Sequence, residues 1–308
     1  MQAMARLPVE LLDAVAFFAC TDGGRTGCAL RLVSKALKDI VEPYRFHSVA
    51  ISGPPKMKAF LRVWGASPAK TKGSLCHVFL ATGTGRTGLY DLLVRVMEAT
   101  SPYAQTLTIT TASIPNGRII VDVLFLPEIM FPHLTHLTLA IPAFGRHDDV
   151  KPVPRFPRVT HVHLALSEVV HLQDAHRPLE KLLSFKDCEN LASIRVSGTS
   201  LAMSDIPYFL KWLSKSEDDP LPPPYGMHHL PQSVERYIAQ LAPGQWDFKT
   251  EPERQNALRE NAEGGKVKFK VLAPVPPRNQ QNWKDIWLEV QSGVRDINCD
   301  WSPDSKVD

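Results

Sequence analysis

Five stretches in the middle of the chain share one arrangement of apolar and polar positions. They are Leu75-x-x-Val78-x-Leu80, Ala104-x-x-Leu107-x-Ile109, Leu134-x-x-Leu137-x-Leu139, Val159-x-x-Val162-x-Leu164 and Leu191-x-x-Ile194-x-Val196. Their central residues lie 29, 30, 25 and 32 positions apart. Alternation over the last three positions predicts a short strand in each. A strand this short cannot bury its apolar side alone, so the regular period predicts units stacked on a shared core. The intervening pieces YDLLVRVMEAT, VDVLFLPEIM and RPLEKLLSF read as helices or turns, and FPHLTHLTLA and FPRVTHVHLAL are close internal copies.

The two ends follow other periods. Residues 7–19 open with Pro8 in a first helical turn, where proline is tolerated. Leu11, Leu12, Val15, Phe18 and Ala19 then recur at helical spacing. After the glycine-rich break TDGGRTG, residues 28–46 read as a second helix with Ala29, Leu30, Val33, Leu37 and Ile40 in its stripe, and KMKAFLRVW as a third. Beyond the repeats, SEDDPLPPPYG reads as a loop, helices are expected near 229–242 and 251–262, and GKVKFKVLA alternates as a sixth strand. WKDIWLEVQSG places Trp283 and Trp287 four apart on one helical face, an expected end cap for the repeats.

Alternation also assigns side chains to faces. If the repeated apolar residues point into the core, the residues between them line the other side of the sheet. These are His77 and Phe79, Thr106 and Thr108, His136 and Thr138, His161 and His163, Ser193 and Arg195. His136 and His161 are then neighbours on adjacent strands, with His163 one step along. Exposed lining of a partner surface, a pH-responsive patch and a zinc site all fit a histidine cluster. The zinc reading lacks a carboxylate or cysteine at matching positions.

Composition narrows the classes. Thirty-five basic and 32 acidic residues give a net charge of +3, too weak a field for a dedicated nucleic-acid binder. The 26 prolines, about 8% of the chain, predict short elements separated by corners. Cys20, Cys28, Cys76, Cys188 and Cys299 form no C-x-x-C pair, which argues against a disulfide framework or a structural zinc. That usage fits a reducing intracellular compartment, cytoplasm or nucleus. No window has the length and apolarity of a transmembrane span.

Leu7-Pro8, Glu10-Leu11-Leu12, Leu30, Leu32-Val33-Ser34-Lys35, Leu37 and Ile40 together resemble an F-box, over about residues 4–47. The repeated L-x-x-L-x-L element resembles a degenerate leucine-rich repeat. The combination is similar to F-box proteins of fungi. It implies an α+β (mixed) chain: a small all-α F-box module over 4–50, a connecting helix over 51–70, an irregular α/β leucine-rich-repeat-like solenoid over 71–200, and a capping region over 201–308. It also implies a non-enzymatic, cofactor-free adaptor of a Skp-cullin-F-box ubiquitin ligase. Leu7, Pro8, Leu11, Leu12, Leu30, Val33 and Lys35 would meet a Skp-type adaptor, and through it a cullin. His77, Phe79, Thr108, His136, Thr138, His161, His163 and Arg195 would meet an unidentified target protein. Leu12, Val15 and Leu37 equally fit the module's own core.

Two other classes stay open at this point. One is an F-box scaffold acting outside ubiquitination. The other is a nucleotide-dependent enzyme using Gly83-Thr84-Gly85-Arg86-Thr87-Gly88, which matches G-x-G-x-x-G but lacks the acidic residue about 20 positions on. His147-Asp148-Asp149 and His228-His229 are polar clusters without a partnering nucleophile or ligand set.

Overall fold

The computed structural model describes residues 7–83, 88–111, 113–142, 155–183, 188–200, 230–243, 267–272 and 278–292. Strands β1 (Ser48–Ser52), β2 (His77–Ala81), β3 (Thr106–Thr110), β4 (His136–Ile141), β5 (His161–His171), β6 (Ser193–Ser200), β7 (Arg236–Leu241) and β8 (Lys268–Leu272) form one sheet. All seven pairings are parallel, and the spatial order is the chain order. The register carries the repeat across the sheet: Val49, Val78, Leu107, Leu137, Val162, Ile194, Tyr237 and Phe269 lie in one row.

That row points into a single core. Helices α4 (Gly53–Gly65), α6 (Leu89–Thr100), α7 (Ile114–Leu124) and α8 (Leu172–Leu183) pack over it, with α5 (Ala69–Lys72) as a short turn beside them. Met57 and Trp64 of α4, Leu93 and Val96 of α6, Ile120 of α7 and Leu179 of α8 join Leu80, Ile109, Leu139 and Leu164 in one continuous cluster. Parallel strands need a crossover of this kind, and the amphipathic helix in each crossover is what buries the strand before it.

The opposite face is covered by the last described helix, α9 (Gln280–Gln291). Asn279 starts it with a capping box, its side chain accepting from the Asn282 N–H and the Asn282 side chain accepting from the Asn279 N–H. Trp283 and Trp287 then pack on Phe79, Ala81, Ala140 and Ala165. The expected tryptophan helix is present, and it lies on a sheet face instead of closing an end.

The mixed α+β class, with an all-α module followed by an irregular solenoid, is corrected by these findings. One eight-stranded, all-parallel sheet with flanking helices makes the chain α/β. Two strands lie outside the expected set. Strand β1 lies at the end of the supposed all-α segment, because Phe46-x-x-Val49-x-Ile51 carries the repeat's own spacing. Strand β7 replaces the helix expected near 229–242: Val234-x-x-Tyr237-x-Ala239 again matches, and the flanking apolar Ile238 and Leu241 disguise it as helical. Within the stretch 51–70, helix α4 packs on β1 and α6 as part of the helical layer. The helix expected near 251–262 and the loop 216–226 lie outside the described residues.

Three short helices precede the sheet: α1 (Val9–Ala19), α2 (Arg25–Val33) and α3 (Lys35–Val41). The single helix expected over 28–46 is broken at Ser34, which is fully extended and caps α3 by accepting from the Leu37 N–H at 3.2 Å. These helices hold a minimal core of Ala16, Cys20 and Val41, with Leu30, Ile40 and Tyr44 against it. Polar clips close the unit. Tyr44 donates to Asp13 at 2.7 Å, and Arg31 pairs with Glu42 at 2.8 Å. The glycine loop joins the unit to the sheet: the Gly23 N–H donates to Ser48 Oγ, and Ser48 Oγ donates to the Thr21 carbonyl. Gly23 has φ +74°, and a Cβ there would come within 3.0 Å of Ala50.

Candidate functional site

Two regions carry candidate function, and their physics is opposite. The first is the outer side of the N-terminal helices. Helix α1 has five large apolar residues that find no place in the unit's small core, so they face water. Phe18 is 72% exposed, Val9 59%, Val15 56% and Leu11 54%. Leu7 leads into the same surface, and Leu32 and Val33 at the end of α2 are 89% and 58% exposed. Among the expected contacts, Leu7, Pro8, Leu11, Val33 and Lys35 are exposed, while Leu12 and Leu30 are half-buried. Leu30 packs on the unit's own core. Sequence reading placed Val15 and Phe18 on one apolar helical face and left open whether Val15 belongs to the unit's own core. They lie on the exposed side because the small residues Ala16 and Cys20 form the inward one.

The second region is the sheet face under α9. The register pairs His136 with His161, and their rings stack at 4.6 Å with an 8° tilt. His77 lies two strands away and meets the His47 ring edge-on at 5.2 Å. Hydrogen bonds fix the tautomers. The Thr135 hydroxyl donates to the Gln105 carbonyl, so its oxygen accepts from His136 Nδ1–H at 2.9 Å. Thr160 repeats the arrangement, donating to the Thr135 carbonyl and accepting from His161 Nδ1–H. One step along, Ser197 donates to Gln240 Oε1 and accepts from His163 Nε2–H at 2.9 Å, while Arg195 Nη2 donates to the same Gln240 oxygen at 2.8 Å.

Burial sets the charge of this ladder. Desolvation pushes His77 down to about 3 and His136 down to about 4, each helped by a neighbouring imidazole. His161 is lowered by burial and by Arg236, and His163 far more by burial, Arg195 and Arg278. All four are neutral at physiological pH, so the face does not act as a sensor near neutrality. Nor is it an open lining. Phe79, Thr108, His163 and Arg195 are buried, whereas His77, His136, Thr138 and His161 keep partial access to solvent.

The third row of this face is built from small residues, Ala81, Thr110, Ala140, Ala165 and Ser197. They leave a cavity of about 480 Å³ at the carboxyl ends of β3–β7, walled by Trp283 and Arg278. Sequence reading missed it, because Arg278 and Gln240 are remote from the repeats in sequence. A second missed residue is Arg155, which is buried and donates to the Phe125 carbonyl at 2.6 Å, tying the loop before β5 to the end of α7.

The glycine motif at 83–88 is described only at its ends. Gly83 and Gly88 both have positive φ, and the Gly83 carbonyl accepts from Asn116 Nδ2 at 2.8 Å. His147-Asp148-Asp149 and His228-His229 lie outside the described residues. Among the described residues, no group of three His, Cys, Asp or Glu side chains is placed to hold a metal ion. No described helix is long and apolar enough to cross a membrane. Comparisons with family models, with curated proteins and with solved structures each found no match.

Proposed function

We propose that the chain is the target-binding adaptor of an SCF-type ubiquitin ligase, working in the cytoplasm or nucleus. Its first helices dock on a Skp-type adaptor, which brings a cullin, and the sheet body carries a target protein. One observation supports the docking half. Eight of the eleven exposed large apolar side chains among the described residues fall between Leu7 and Val33. A patch of this kind on a unit with so small a core is the mark of a surface that a partner covers. Its aliphatic and aromatic anchors, rimmed by Lys35 and Glu10, match the anatomy of a protein interface. The adaptor's contribution is proximity: target and ligase held together react at raised effective concentration.

The test is co-elution of the full chain with a purified Skp-type adaptor. Leu11→Asp combined with Leu12→Asp abolishes the complex while the melting transition of the sheet persists. A wild-type chain that does not co-elute overturns the reading. A chain that binds the adaptor yet supports no ubiquitin transfer in a reconstituted cullin assay is instead an interaction scaffold.

A further inference from the structure

We propose that α9 is a displaceable strap, and that the sheet face beneath it is the seat of an amphipathic helix from the target, one that carries two aromatic residues four positions apart. The inference deepens the adaptor reading, since it rests on the sheet body being the target-binding half. It does not depend on the Skp-docking surface.

The strap shows what the seat accepts. Trp283, Ile286, Trp287 and Val290 fall at i, i+3, i+4 and i+7, one stripe of the helix. The Trp287 ring lies 5.6 Å from Phe79, and Trp283 meets His163 edge-on at 5.5 Å. Beside them the small side chains of Ala81, Ala140 and Ala165 leave room for two indoles. This is a helix laid on a surface and held by aromatic anchors at helical spacing.

The fit is incomplete, and that makes the strap removable. Trp283 and Trp287 are the buried residues of α9, while Ile286 and Val290 stay half-buried. The Trp287 indole N–H is buried with no hydrogen-bond partner among the described residues, so the loss of its water is uncompensated. A void of about 80 Å³ remains where the stripe faces Thr106, Thr108 and Thr138. Trp283 also borders the crevice of about 480 Å³. The floor under the stripe is threonine and histidine, polar groups that give up water to an apolar cover. Across the sheet, by contrast, Leu93, Val96, Ile120 and Leu179 are fully buried in the main core. A second copy's α9 brings the same defects without the tether, so it gains nothing on the helix already in place. A target helix that fills the void and leaves no N–H unpaired replaces it.

The probe is a fluorescein-labelled peptide of residues 278–292, titrated into the full chain and followed by anisotropy. Trp283→Ala combined with Trp287→Ala in the chain loosens its own strap, and the peptide is expected to bind this variant saturably. It binds the wild-type chain at least about tenfold more weakly, because there the seat is open only part of the time. A peptide with both tryptophans replaced by alanine binds neither chain. Amide exchange of the wild-type chain is a second reading that needs no variant: α9 is expected to exchange at least about tenfold faster than β4 and β5. A folded double variant without saturable binding, equal affinity for the two chains, or an α9 that exchanges only together with the strands each overturns the proposal. Co-elution with the Skp-type adaptor is read separately. Its failure with peptide binding intact removes the adaptor reading and leaves the helix seat, and the reverse removes the seat alone.

Discussion

The N-terminal helices and the sheet body distribute their apolar residues in opposite ways. In the body, almost every large apolar side chain enters one core shared by eight strands and four helices. In the N-terminal unit, three buried residues make the core and the larger side chains stay outside. The difference follows from geometry. A strand between two neighbours and under a helix has both faces covered, whereas three short helices at the edge of a sheet can cover only one side of each. Apolar surface in the body therefore stabilises the fold, and apolar surface in the N-terminal unit stays exposed to solvent.

The largest way to break this comparison is in the body. Leu139→Ala removes a fully buried side chain from the central strand and is expected to cost about 2–5 kcal/mol, measured by denaturant unfolding. A loss below about 1 kcal/mol would show that the shared core is loosely packed.

Acid supplies the next effect. The ladder histidines have depressed pKa values in the folded state, so the unfolded chain binds protons first. Stability from this source is intact above about pH 6.5 and falls as pH drops toward about 4 for His136 and about 3 for His77. Each such histidine contributes a slope of up to about 1.4 kcal/mol per pH unit in that window. His136→Asn is expected to flatten the decline in unfolding free energy between pH 6.5 and 4.5. An unchanged slope would refute the assignment of a buried, neutral ladder.

Smaller effects belong to the N-terminal helices. Ser34→Ala removes the cap of α3 and is expected to cost about 1 kcal/mol of local stability, read as faster amide exchange in residues 35–41 with the sheet unaffected. Phe18→Ser is smallest of all: its side chain is 72% exposed, so stability changes within about 0.5 kcal/mol, while affinity for the Skp-type adaptor falls about tenfold or more. If Phe18→Ser lowers the melting temperature by several degrees, the exposed stripe is structural after all.

How much of this was legible depends on which signal each residue carried. The strands β2–β6 and their register could be read because period-two alternation and a near-constant spacing coincide, and His136 beside His161 follows from that register alone. Strand β7 was hidden because Ile238 breaks the alternation. That residue faces the second side of the sheet yet is apolar, so the segment mimics a helix. The openness of the His163 and Arg195 face was misjudged for a different reason. Alternation shows which side a residue takes, not what covers that side, and the cover, Trp283 and Trp287, comes from more than eighty residues further along. The break of the second helix at Ser34 was readable in principle, since serine competes for backbone donors and favours caps. Leu30 and Phe18 sit on the same helical unit with opposite exposure, a distinction set by which small residues line the interior.

The chain-ordered sheet has a consequence for how the protein comes into being. Each strand hydrogen-bonds to the one made just before it, so a nascent chain leaving the ribosome always finds its next template already assembled. Among the described strands no pairing skips a neighbour, so each crossover is the one loop that its pairing has to close. The growing edge is nonetheless a sticky, unpaired strand at every stage until the last one is added. The last described strand, β8, carries Lys268 and Lys270, and charge of this kind discourages a second molecule from continuing the sheet.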